Sequence, residues 1–387
     1  MTHRNPPRLL RALALLAAAV ALPGCADLGY YAQSVRGHLQ LMGAARPVED
    51  WIARPDTPAA LRARLELAQR ARAFAVAELG LPDNASYHRY ADLGRRAAVW
   101  NVVAAPPLSL TLHTWCFPVT GCIGYRGYFD EDGARAEAAS LAAQGLETSV
   151  YGVPAYSTLG WMNWAGGDPL LNTFVGYPEG DFVRLLFHEM AHQVVYASGD
   201  TVFNESFATA VERIGGQRWL DTQASATARE ASARAQTRRA AFRALTRETR
   251  VRLVHIYEQK TAPALDIPAV AAMKNEAMQT FRERYAALRE RWLTEPGMQG
   301  GADAAALAGY DTWVARANNA AFGALAAYDD LVPAFEALFA REGSDWPRFY
   351  AAVRALARQP RDERHAALDA LMAPPPASAV FDAWRHQ

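Results

Sequence analysis

The stretch "RLLFHEMAHQVVYASGDTVFNESFATAVE", residues 184–212, restricts the chain more than any other. His188 and His192 stand four apart, with "VRLLF" before them and "VV" after. Residues i and i+4 of an α-helix lie one above the other on the same face. The pattern therefore predicts a buried helix carrying two imidazoles side by side. That spacing lets both ring nitrogens reach one zinc ion at about 2.0–2.1 Å. Glu189 sits one position round, able to touch a water at the metal without ligating it, the H-E-x-x-H arrangement. The competing reading is a pair of core histidines satisfied by ordinary hydrogen bonds.

A catalytic zinc needs a third protein ligand and an open fourth position. In "SGDT" (198–201), Gly199 ends the first helix and the polar residues around it start another. Glu205 then falls in the first turns of a second helix that can pack back antiparallel across the metal. Glu212, two turns further down that face, is the alternative ligand, or a carboxylate that hydrogen-bonds a ligand histidine.

The 387 residues are 51% hydrophobic and 21% charged, enough to bury one large core or two smaller ones. Forty basic residues balance forty acidic ones, so no global field attracts nucleic acid. The expected fold class is α+β, with a small antiparallel or mixed sheet in the first half and a mainly helical second half holding the zinc-binding helix pair. Residues 57–80 read as a helix capped by Thr57 and stopped by Gly80. "AAVWNVVAA", "LSLTLHTWCF" and "ETSVYGVPAYST" read as strands, and about 131–145 as a helix. Two long helices form a hairpin at about 222–293. The second shows Ala277, Phe281, Tyr285, Leu288 and Trp292 as an apolar stripe, and the basic excess on the hairpin's solvated face reads as solubility. Ser344, Asp345 and Pro347 mark a late helix start, and Asn318 and Asn319 read as caps. Residues 25–387 read as a single domain.

Residues 1–24 read as a signal peptide. Arg4, Arg8 and Arg11 precede the apolar run "LALLAAAVAL", too short to span a bilayer, and then "LPGC" ends at Cys25. This resembles a bacterial lipoprotein signal, which implies lipidation of Cys25 and anchoring at a membrane; an ordinary secretory signal is the alternative. Ala26 after the cysteine favours, by analogy, the outer membrane with the body facing the periplasm. Export implies an oxidising compartment, in which Cys116 and Cys122, with Pro118 and Gly121 between them, can close a disulfide. A thiolate metal pair there lacks two further ligands nearby.

"NESFATAVE" resembles the "NEGFA" segment of gluzincin peptidases, which assigns the third ligand to Glu205. "PAYSTLGW", "DPLLNTF", "FPVTGC…YRGYF" and "LVPAFEALF" resemble a family of bacterial lipoproteins known as predicted aminopeptidases, over most of the mature chain. The resemblance implies a zinc aminopeptidase acting on peptides. In such an enzyme Glu189 is the general base; Tyr328, with Tyr156 close behind, is our candidate for the second oxyanion donor, against a plain core tyrosine for either, and Asp168 our candidate carboxylate for the substrate's α-ammonium group. Asp168 also reads as a turn residue before Pro169. A zinc endopeptidase of the envelope and a non-catalytic zinc-binding lipoprotein are the competing functions.

Overall fold

The computed structural model describes residues 28–117, 121–158, 163–259, 266–295, 301–329 and 331–372. Cys25 lies outside them. Helix α1 spans 28–44. It is followed by β1 (Arg46–Pro47), α2 (Val48–Ala53), α3 (Ala59–Leu79), β2 (Arg89–Ala91), β3 (Val99–Ala105), β4 (Trp115–Phe117), β5 (Gly121–Ile123), β6 (Arg126–Tyr128), α4 (Glu131–Ala143), β7 (Glu147–Val153) and β8 (Leu170–Leu171). From there the described chain is helical: α5 (Asn172–Val175), α6 (Glu179–Ala191), α7 (Thr201–Thr222), α8 (Ala226–Glu258), α9 (Ile267–Leu293), α10 (Gly301–Arg316), α11 (Asn319–Asp329), α12 (Val332–Arg341), α13 (Trp346–Ala357) and α14 (Arg361–Met372). Small sheets come first and helices later, as the sequence leads one to expect. Among the described residues no helix is long and apolar enough to cross a membrane.

The main sheet runs β6-β3-β7 and is antiparallel throughout, with Val102 of β3 opposite Val150 of β7. A second sheet, β1-β2-β8, is mixed, and β4 and β5 form a hairpin closed by the Cys116–Cys122 disulfide. Two sequence expectations give way here. "LSLTLHTWCF" is a strand only over its last three residues, Trp115–Phe117. Its leucines serve two separate cores: Leu108 and Leu110 pack on the α8–α9 cluster, and Leu112 on a small cluster behind β3. The segment is held by tertiary packing in place of a ladder. Thr57 is not a cap, because Pro58 occupies the N-cap position and leaves Thr57 one residue too early; its hydroxyl is buried without a partner among the described residues. Gly80 does end that helix, in the left-handed conformation at φ +62° that glycine adopts without a Cβ penalty.

The largest hydrophobic core joins α3, α6, α7, α12 and α13 through Phe187, Phe203, Phe207, Phe335 and Phe349. A separate cluster holds α8, α9 and α10, and the stripe read from the sequence, Ala277, Phe281, Tyr285, Leu288 and Trp292, is buried in it. Asn318 caps α11 by accepting the Ala321 N–H, whereas Asn319 is a buried tie that bonds Glu147, Pro106, Pro107 and Tyr257. Asp345 caps α13 through the Arg348 N–H.

Candidate metal centre

Helix α6 starts after Pro178 with Glu179 and Asp181 in its first turn, where acids complement the helix dipole. Phe182, Val183, Leu186, Phe187 and Met190 are all buried, so apolar packing fixes its rotation. The regular helix ends at Ala191. His192, its C-cap, keeps helical angles (φ −57°, ψ −22°) and so stays on the face of His188. The two rings stand 4.8 Å apart, near perpendicular.

The chain reverses through Gly199, at φ +74°. Asn204 clamps this turn, its amide accepting from the Ala197 N–H (2.7 Å) and donating to the Ala197 carbonyl (2.8 Å). Asp200 caps α7 through the Phe203 N–H and takes His365 of α14 at 2.8 Å on its other oxygen. Helix α7 then runs back along α6 and brings Glu205 to the histidines. At Gly216 an added Cβ would lie 2.4 Å from Cγ of Arg184, so glycine is what lets Arg184 lie across α7.

Nε2 of His188 and Nε2 of His192 are 3.2 Å apart, and Oε2 of Glu205 lies 3.3 Å from the first and 3.7 Å from the second. Four ligands at about 2.0–2.1 Å around a tetrahedral ion are about 3.4 Å from one another. The triangle therefore fits zinc in size, and two imidazoles with one carboxylate fit it in chemistry. Both histidines and Glu189 are buried.

Behind this triangle, Glu212 accepts from Nδ1 of His188 at 3.2 Å and pairs with Arg184 at 2.9–3.0 Å. Burial raises the Glu212 carboxyl pKa, but the His188 bond and the Arg184 charge outweigh it and hold the group down at about 2. An ionised Glu212 can only accept. Nδ1 of His188 must then be the protonated nitrogen, which leaves Nε2 facing Glu205 as the ligand atom. Burial opposes charging His188, yet Glu205 and Glu212 on either side raise it well above its ordinary value, and a metal ion has to displace that proton. His192 is pushed down to about 4 by burial and is neutral. Burial, with further contributions from Glu205, Asp168 and Glu212, lifts Glu189 up to about 7, with His188 opposing.

The group opens into a cavity of about 1020 Å³. The β7 end, from Tyr151 through Ser157, lines it, as do Tyr125 and Tyr196, whose hydroxyls are raised by burial and by the Glu205 charge. Tyr156 is on this wall, with its hydroxyl 3.2 Å from Nδ1 of His38. Asp168 is elsewhere: it is wholly buried, and its carboxylate takes the Thr158 N–H and hydroxyl at 2.7–3.0 Å, bracing the segment after β7. Tyr328 falls on α11, and its side chain lies outside the described residues. The sequence reading passed over Arg184, although it precedes His188 by one turn on the same face and could have been found that way. It also passed over Asn204, whose clamp depends on a turn that spacing alone does not describe.

Residues 29–368 match a family model described as "Putative aminopeptidase". No curated protein and no solved structure matches the chain.

Proposed function

The chain belongs to the family described as "Putative aminopeptidase", and from that premise we propose that it is a zinc-dependent peptidase that releases N-terminal residues from peptides. One observation carries the reading: Nε2 of His188, Nε2 of His192 and Oε2 of Glu205 face one another at 3.2–3.7 Å, with buried Glu189 beside them. When bound, zinc supplies a Lewis acid that activates water and polarises the scissile carbonyl. His188, His192 and Glu205 would hold it, and Glu212 would orient His188. Glu189 accepts a proton from the attacking water and passes it to the leaving nitrogen. A tyrosine donates to the developing oxyanion. Tyr328, with Tyr156 close behind, is the donor read from the sequence, and Tyr125, Tyr151 and Tyr196 also line the cavity within reach of the Glu205 charge. The signal-like start and Cys25 support a lipid-anchored enzyme on the periplasmic side of the outer membrane, acting on peptides there.

A second reading, an endopeptidase, is favoured by a specific feature. Among the described residues, the carboxylates lining the cavity are Glu189, Glu205 and Glu212, each already committed to the metal centre, and Asp168 does not line it. Hydrolysis of a peptide and its N-acetylated twin decides between them. The aminopeptidase predicts cleavage of the free peptide only, and equal rates would remove it. Glu189→Gln is expected to keep stoichiometric zinc, measured by elemental analysis, while losing hydrolysis. A Glu189→Gln protein that restores every phenotype of a deletion strain would leave a structural zinc site only.

A further inference from the structure

Helix α1 turns polar side chains toward the body and apolar ones outward. On the inner side, the Gln33 amide oxygen accepts the Phe129 N–H at 3.1 Å, and Nδ1 of His38 meets the Tyr156 hydroxyl at 3.2 Å. Tyr30 packs on Phe117 and Tyr128, and Gly37 lies so close to the Phe129 ring that a Cβ would not fit. Leu41 is buried in the main core. These contacts fix the rotation of the helix. Its outer side is left with Leu28, Tyr31, Val35 and Leu39, which are 69, 42, 59 and 63% exposed. Steps of three and four residues place them in one row, about 16 Å long at about 1.5 Å per residue. Apolar side chains scattered singly over a surface are ordinary, whereas a contiguous row marks a contact site.

The sequence around the row points to a bilayer as its cover. Arg36 borders the row and is the only Lys, Arg, Asp or Glu between 28 and 44. Anionic lipid headgroups suit an apolar helix face with a cation at its edge. A second copy docked α1 to α1 would bring Arg36 no carboxylate from this helix. Cys25, marked for acylation by the lipoprotein-like start, stands three residues before Leu28, about 10 Å of extended chain. Acyl chains there would hold the first turn of α1 at the lipid surface, and the row runs on from that turn.

We propose that the outer side of α1 lies in the membrane surface, with Leu28, Tyr31, Val35 and Leu39 in the headgroup–acyl boundary and Arg36 at the lipid phosphates. The proposal rests on the lipid-anchor reading of Cys25 and adds an orientation to it. The anchor fixes where the chain is held, and the row fixes which side faces the lipid. Tyr31 belongs to the row and also lines the metal cavity, together with Tyr30 and Ser34 of the same helix. The part of the cavity wall that α1 supplies therefore stands at the bilayer, and the substrates within reach are peptides at the membrane surface.

The test uses the full chain, processed in a bacterial host and reconstituted into vesicles of phosphatidylethanolamine and phosphatidylglycerol. Cys116 and Cys122 are joined in a disulfide and Cys25 is acylated on this reading, so an introduced cysteine is the one free thiol for a nitroxide label. Labels on Val35→Cys and Leu39→Cys are expected about 5–10 Å deep in the lipid, colliding more with oxygen than with a water-soluble nickel complex. A label on Val251→Cys, at an exposed position of α8, should show the reverse. Nickel access at 35 and 39 equal to that at 251, on vesicle-bound protein, overturns the proposal. So does shielding of both labels from oxygen and nickel alike with a dimer in cross-linking, which would put a second copy on the row. Mass spectrometry of Cys25 tests the anchor separately. If it carries no lipid, that reading fails, and sedimentation of the unmodified chain with the same vesicles decides the row. Val35→Glu combined with Leu39→Glu should then weaken partition by about tenfold or more, the loss for withdrawing two apolar side chains from lipid. Equal sedimentation of parent and variant overturns the proposal.

Discussion

Glu212 is pulled in two directions. Burial favours its neutral form, whereas the His188 hydrogen bond and the Arg184 pair favour the charged one and prevail. The residue acts through His188, by fixing which nitrogen carries the proton and where the ring points. Glu212→Gln keeps the shape but removes the charge, and zinc affinity should fall roughly ten- to a hundredfold, as for other partners of ligand histidines. Glu205→Ala should instead abolish binding, and a competitive chelator titration distinguishes the two. If Glu212→Gln binds zinc as tightly as the parent, the carboxylate is only a packing neighbour. Asn204 has a purely mechanical role: alanine there leaves the Ala197 N–H without its acceptor, while the Ala197 carbonyl keeps the Asp200 N–H. That should destabilise the fold by about 1–3 kcal/mol in denaturant unfolding.

At the scale of elements, α10 is latched to α9 by Asp311, which takes Arg289 at 2.8 and 3.1 Å and the Tyr285 hydroxyl at 2.6 Å. Arg289 chiefly, with help from Tyr285, holds the Asp311 carboxyl below its ordinary value. A depressed folded-state pKa means that the stabilisation is complete above the unfolded value, about 3.9, and is lost as pH falls through the folded one. Asp311→Asn should therefore lower Tm at neutral pH, and the gap to the parent should narrow as pH drops below about 3.9. A gap that stays constant down to acid pH would mean that the pair contributes no net charge interaction. The elements themselves were legible where one periodicity dominated. The stripe on α9, the Gly80 stop and the Asp345 start follow from local rules. "LSLTLHTWCF" misled because alternating leucines look like a strand face, whereas here they enter two different cores.

For the whole molecule, the proposed metal binding would share one equilibrium with folding, because α6 and α7, which carry the candidate triad, also form the centre of the main core. Removing zinc with a chelator should lower Tm, and adding it back should restore it. Glu205→Ala should be insensitive to both treatments. A parent protein whose Tm ignores the chelator would show that the site is not loaded. The β4–β5 hairpin meets the same region: a Cβ on Gly121 would come 3.0 Å from Cα of Gly199, so Gly121 lies close against the turn between α6 and α7.

What the amino-acid order determined alone is the helix pair and its candidate metal-binding triad, because i to i+4 geometry and one short turn bring His188, His192 and Glu205 together with little help from distant chain. What tertiary structure decided is everything that reaches the cavity from far away. It turned Asp168 inward onto Thr158 and brought Arg239 and Arg243 of α8 to the wall of the cavity. Local spacing says which residues share a face, but which neighbour that face meets depends on how separate hydrophobic surfaces pack together, and no short stretch of sequence carries that choice.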